Sequence, residues 1–190
     1  MVGRRHHRLQ IVVREGAVCL RKSFPPRESR SLIDQILRFL NWGFYLEAAA
    51  LLRLRELPFV PAIRRIDYAA AAIEMDYIGG MDLRHALAQS TDEINYDMVQ
   101  RNFLELVTSD DPTSEEISHI IRELMKRGVM PRDTHAANFI RGKISQRLYI
   151  VDFHLVYLSP IPGWNKHRHS DDPSGCLAAI LNKAGFASQS

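Results

Sequence analysis

Strand-like patterning crowds the first 75 residues of this chain, and residues 90–128 read as almost unbroken helix. That order (β-rich, a helix pair, β again, then mainly helix) constrains the fold more than any single residue does. It predicts an α+β chain with a small mixed lobe followed by a mainly helical one. Residues 9–14 and 17–24 alternate around Glu15-Gly16 as a hairpin, and Pro25-Pro26 ends its second strand. Ser31 is placed to cap a first helix with the stripe Leu32, Ile33, Ile36, Leu37 and Leu40. A second helix is expected over 44–57, stopped by Pro58, and residues 59–66 and 69–75 are expected to be extended. Gly79-Gly80 breaks the chain, and Asp82 opens a short helix through Leu87. The helical stretch splits at Asp110-Asp111-Pro112-Thr113 and ends at Gly128. A strand over 148–151 delivers Asp152 at its C-terminal end, and a short last helix is expected over 177–181.

Charge is as informative by where it lies as by its size. The 25 basic and 22 acidic residues give +3, and setting aside Arg4, Arg5 and Arg8 leaves 22 of each. The body is neutral and only the arm Arg4-Arg5-His6-His7-Arg8 is basic, which argues against nucleic acid as the partner, since such binders spread positive charge over a folded face. The arm reads as a solvated terminus, with contact to a membrane surface as its other use. Two cysteines, Cys19 and Cys176, make no disulfide framework, and Cys19 reads as a small buried hydrophobe. No apolar run reaches the roughly 18 residues of a membrane span, and Arg14-Glu15 interrupts any secretory core after Ile11-Val12-Val13. A cytoplasmic setting and one domain over 1–190 are the expectations, divided into 9–78 and 79–190.

Five positions carry the chemistry. Lys22, one of five lysines, ends an apolar strand, and Glu47 lies within the otherwise apolar run Phe44-Tyr45-Leu46-Glu47-Ala48-Ala49. Asp133 and Asn138 lie five apart on one loop, and Asp152 follows Tyr149-Ile150-Val151. Phosphoryl transfer needs these types: a lysine on the phosphates, a carboxylate to hold it, a base at the attacking hydroxyl, and oxygen ligands for Mg²⁺. Alone, each residue has an ordinary reading as a strand-end lysine, a helix surface acid, a turn former or a loop amide. Asp152 is hardest to dismiss, because a carboxylate at a core edge is costly unless a cation or hydrogen bonds meet it. The histidines, His167-Arg168-His169 among them, lack zinc-site spacing and read as surface residues.

In sequence, the motifs resemble those of the protein-kinase-like superfamily. Pro131-Arg132-Asp133-Thr134-His135-Ala136-Ala137-Asn138 resembles H-R-D-x-x-x-x-N, and Asp152-Phe153-His154 resembles D-F-G. Val18-Cys19-Leu20-Arg21-Lys22 resembles the V-A-I-K strand, Glu47 the glutamate of the regulatory helix, and Glu74-Met75-Asp76-Tyr77-Ile78-Gly79-Gly80 the hinge. The resemblance covers about residues 9–160 and implies a two-lobed fold with a reduced first-lobe sheet and a truncated, helical second lobe. It also implies ATP and Mg²⁺ as cofactors. Lys22 would contact the α- and β-phosphates, Glu47 would pair with it, and Asp133 would be the base. Asn138 and Asp152 would hold the metal, and backbone groups of Asp76 and Ile78 would meet the adenine.

The departures are as specific. No G-x-G-x-x-G precedes Lys22, Pro131 replaces the motif histidine, His154 replaces the glycine, and no A-P-E occurs in the 38 residues after Asp152. The bacterial lipopolysaccharide core (Kdo and heptose) kinases are similar in compactness and loose motifs, which implies a sugar or glycolipid hydroxyl acceptor ahead of a protein. The same departures suit an inactive pseudokinase serving as a binding module, or a remnant that lacks its first strand.

Overall fold

A computed structural model of the chain describes residues 8–24, 42–88, 95–132, 134–159 and 176–185. The helix expected from Ser31 and the His167–His169 loop lie outside these residues, as does the basic arm up to His7. Two compact units emerge. Described residues through Tyr77, together with Phe153–Leu155, form the first; Ile78–Asp152 and the described residues from Val156 onward form the second.

The first unit is built on an antiparallel sheet. Strands β1 (Arg8–Arg14), β2 (Ala17–Ser23), β3 (Ile63–Asp67) and β4 (Ala72–Asp76) lie in the order β1-β2-β4-β3. The hairpin expected around Glu15-Gly16 is present, in register from Arg8 opposite Ser23 to Arg14 opposite Ala17. Both turn residues take positive φ, 49° and 81°, as a tight two-residue hairpin requires. Strand β3 begins later than expected. Pro58 and Pro61 supply no N–H to a ladder, so Phe59, Val60 and Pro61 are buried in irregular chain and pairing starts at Ile63.

Because opposed residues share a face, Lys22, Leu9 and Ile73 lie on one side of the sheet and Arg21, Gln10 and Glu74 on the other. Helix α1 (Trp42–Leu54) buries Phe44, Ala48, Ala50, Leu51 and Leu54. Phe44 meets Phe24 with ring centroids 5.8 Å apart and Tyr68 at the same distance. That aromatic contact ties the helix to the end of β2, the strand that carries Lys22.

The second unit is mainly helical. Helices α2 (Leu83–Leu87), α3 (Tyr96–Thr108), α4 (Pro112–Lys126) and α5 (Cys176–Lys183) surround a core of Val99, Phe103, Ile117, Ile121, Leu124 and Ile180. Capping follows the sequence: Asp82 accepts from the His85 N–H, Asn95 from Met98 and Asp111 from Thr113, with Pro112 in the first turn of α4. Gly128 ends α4 at φ 67°, its N–H donating to the Met125 carbonyl.

Four short strands escape sequence reading: β5 (Gly80–Asp82), β6 (Val129–Pro131), β7 (Phe139–Gly142) and β9 (Val156–Leu158). Strand β5 pairs with β7 (Phe139–Gly142), which pairs in turn with β8 (Leu148–Ile150), and β6 pairs with β9. Gly80, read as a break, starts a strand because a Cβ there would lie 2.1 Å from the Arg141 carbonyl oxygen. Only glycine permits that approach.

Candidate active site

In the first unit the decisive geometry is one ion pair. Lys22 comes from β2 and Glu47 from α1, 25 residues later, and both are almost wholly buried. The Lys22 Nζ donates to Glu47 Oε1 at 2.9 Å and lies 2.7 Å from Oε2. It also stands 5.4 Å from the centroid of the Phe24 ring. Burying either charge alone would cost several kcal/mol, so each requires the other. The helix face supplies the geometry: with Phe44, Ala48 and Leu51 turned into the core, Glu47 is carried inward with them.

A third group joins this pair. His154 lies with a ring nitrogen within 4.8 Å of a Glu47 carboxylate oxygen. Sequence reading marked His154 as a departure from D-F-G and, with the other histidines, as a surface residue; it is half-buried, and nothing in the chain's periodicity brings residue 154 to residue 47.

The opposite face of the sheet carries a second charge cluster that motif reading missed. Glu74 is buried and accepts from Arg14 Nε and Nη2, both at 2.9 Å, and from Arg21 Nη1 at 2.6 Å. These guanidinium groups hold its carboxyl at about 2, well below the usual value. Cross-strand register was the available signal, because β2 and β4 place Arg21 opposite Glu74. This clamp joins β4 to β1 and β2 two residues before Asp76 and the expected hinge. The Asp76 N–H donates to the Ala62 carbonyl at 2.9 Å, and its carboxylate accepts from Arg64 at 2.5 Å. Tyr77 donates to Val18 at 3.3 Å, and Ile78 follows as the first residue of the second unit.

The second unit holds the other expected site residues. Asn138 ends a single 3-10 turn, Ala136–Asn138, and is buried. Its carbonyl accepts from the Val151 N–H at 2.8 Å, and Phe139 stands opposite Ile150. The β7–β8 pairing therefore brings Asn138 beside the residue that precedes Asp152. Asp152 itself sits at φ 69°, a conformation that costs a non-glycine residue about 1–3 kcal/mol and that clusters at functional sites. Both side chains offer oxygen, the donor Mg²⁺ prefers, so the pair suits that ion.

Asp133 lies outside the described residues, but its neighbours are placed. Pro131 ends β6 opposite Val156, Thr134 is buried, and the Arg132 guanidinium stands 4.6 Å from the centroid of the Tyr157 ring. Pro131 is thus a buried strand residue and not part of a polar loop, because it completes the β6–β9 ladder from the carbonyl side.

Comparison with known proteins bears on the fold. No family model and no curated protein matches the sequence. Among solved structures 682 chains match. One is the granulovirus kinase PK-1 of Cydia pomonella, with a TM-score of 0.53 and 13% identity over 87% of this chain. The fold is protein-kinase-like, in reduced form. The chain spans 55% of the length of the viral kinase it matches. At that identity the likeness concerns the path of the backbone, and the chemistry has to be argued from this chain's own residues.

Proposed function

We propose that this protein is an ATP- and Mg²⁺-dependent phosphotransferase that moves the γ-phosphoryl group to a hydroxyl acceptor. The observation that carries the reading is the buried Lys22–Glu47 pair within a kinase-like fold. A solvated surface lysine needs no buried carboxylate, whereas a lysine that must meet phosphates in one place does. Lys22 contacts the α- and β-phosphates, and Glu47 keeps its ammonium extended. Asn138 and Asp152 hold the metal, which when bound offsets negative charge on the phosphate oxygens. The Asp76 carbonyl and the backbone of Ile78 meet the adenine edge, the Asp76 N–H being engaged by Ala62.

Asp133 accepts the acceptor hydroxyl proton as its oxygen bonds to the γ-phosphorus. The bond between that phosphorus and the bridging β–γ oxygen breaks, and ADP leaves with the electron pair. Positioning and fixed charge supply most of the rate in such chemistry. The acceptor we favour is a sugar or glycolipid hydroxyl of the kind the lipopolysaccharide core kinases take, supported by the likeness of the loosened motifs; a protein hydroxyl is the second class. The setting we propose is the cytoplasm, where ATP is plentiful; separately, no helix among the described residues is long and apolar enough to cross a membrane.

The reading is tested by transfer of label from γ-labelled ATP to core oligosaccharide and to protein acceptors. Asp133→Ala should lower transfer by about 10²–10⁴-fold, the usual worth of a general base, while ATP affinity changes little. Transfer by the variant at the parent rate would remove Asp133 from the mechanism. The competing reading, an inactive binding module, rests on Pro131 and His154 in the motif positions, and predicts no transfer by the parent to any acceptor.

A further inference from the structure

Between the end of β6 and the buried Thr134 the chain runs through two residues, Arg132 and Asp133. The β6–β9 ladder holds the backbone as far as Pro131, which stands opposite Val156. Arg132 follows it, exposed, with its side chain laid on an aromatic ring from the partner strand.

Register explains the contact. Tyr157 lies directly opposite Met130, so those two side chains share a face of the β6–β9 ribbon. Side chains alternate along an extended chain, and Arg132, two positions after Met130, returns to that face. Residues in this diagonal relation lie about 7–8 Å apart, a span that a long side chain and an aromatic ring can bridge. The guanidinium carbon stands 4.6 Å from the centroid of the half-buried Tyr157 ring, inside the ~6 Å over which an aromatic face attracts a cation. A planar guanidinium can also stack on such a face, which an ammonium cannot.

We propose that Tyr157 is a positioning residue: its ring holds the Arg132 guanidinium and thereby the chain that leads into Asp133. The inference rests on the phosphotransferase reading for what Asp133 does, and on the β6–β9 register for the hold itself. Its consequence is that the segment after Asp152 and the segment before Asp133 are tied by side chains as well as by their ladder.

The test is a double-mutant cycle read by backbone hydrogen exchange on the full chain without nucleotide, with the amides of α4 as internal standard. Tyr157→Leu keeps apolar bulk and removes the ring face. It should speed exchange of the amides of residues 132–135 about two- to fivefold, the worth of an exposed cation–π contact. Tyr157→Phe, which keeps the face, should leave them at the parent rate. In an Arg132→Gln background Tyr157→Leu should add nothing, because the cycle isolates what the two side chains share, whatever else touches them. Parent-like exchange in Tyr157→Leu would overturn the proposal. So would an equal acceleration with and without Arg132, which would reduce Tyr157 to packing of the ladder. A second arm measures phosphoryl transfer: Tyr157→Leu should lower kcat about two- to fivefold with the KM for ATP unchanged, and Tyr157→Phe should restore it. An undiminished kcat in Tyr157→Leu would remove its positioning role. If the parent transfers to no acceptor while the exchange cycle closes as stated, the phosphotransferase reading falls and the hold of Tyr157 on Arg132 stands.

Discussion

A buried glutamate can serve structure or chemistry; in the first unit Glu74 does the first, and Glu47 does the second in the function proposed above. Glu74 sits between Arg14 and Arg21 on the outer face of the sheet, where three charge-assisted bonds satisfy it and nothing else is asked of it. Glu47 is paired with Lys22 and has a His154 ring nitrogen within 4.8 Å. The contrast gives a pH prediction for the structural member. The folded-state pKa of Glu74, about 2, lies below its ordinary 4.5, so its stabilising contribution is fully present above pH ~4.5 and is lost as pH falls towards 2. Allowing for the half-exposed Arg14, the contribution is on the order of 2 kcal/mol. Urea unfolding of the parent and Glu74→Gln should therefore show a gap of about that size at pH 7 that narrows steadily below pH 4.5. A gap that stays constant down to pH 2.5 would mean that the arginines do not hold the carboxylate. The residue scale is also where sequence reading reached furthest. Lys22 and Glu47 were legible because a lysine and a glutamate in apolar surroundings are costly and therefore informative. His154 was not, because its significance depends on a contact 107 positions away in the chain.

Among the elements, those with long periodic patterns were readable, as was β8 from its apolar run before Asp152, whereas β5, β6, β7 and β9 were not. Helices α3 and α4 announce themselves through repeated apolar spacing and caps, and the β1–β2 hairpin through its alternation and its Glu15-Gly16 turn. Strands β5, β6 and β9 are too short to show a period, and only their partners define them. Those strands nonetheless border the candidate site residues: β6 ends two positions before Asp133 in the sequence, and β5 pairs with β7, which begins next to Asn138. Two glycines test this account. Gly80→Ala should destabilise by at least about 1–3 kcal/mol, because a Cβ at 2.1 Å from the Arg141 carbonyl oxygen forces β5 away from β7. Gly128→Ala should cost about 1–2 kcal/mol through the left-handed conformation at the end of α4. Denaturant titration of both variants checks the two values. If Gly80→Ala proves as stable as the parent, β5 does not pair as closely with β7 as described.

At the scale of the molecule, the described candidate site residues are divided between the two units. The first carries the ammonium and the carboxylate that holds it; the second carries a buried amide and a backbone-strained aspartate joined by the β7–β8 pairing. The division between units falls at Tyr77–Ile78, beside the expected hinge, and the chain rejoins the first unit for the three residues after Asp152. Sequence reading set its own boundary at 78/79 from Gly79-Gly80, and no composition change marks the return after Asp152. If one nucleotide draws on both sets of groups, each set must be necessary for its binding. The most direct measurement is the thermal shift produced by ATP, with and without Mg²⁺, in the parent, Lys22→Met and Asp152→Asn. The account predicts that ATP raises the melting temperature of the parent only when the metal is present, and that either substitution abolishes the rise. No shift in the parent under any condition, or an undiminished shift in both variants, would contradict it.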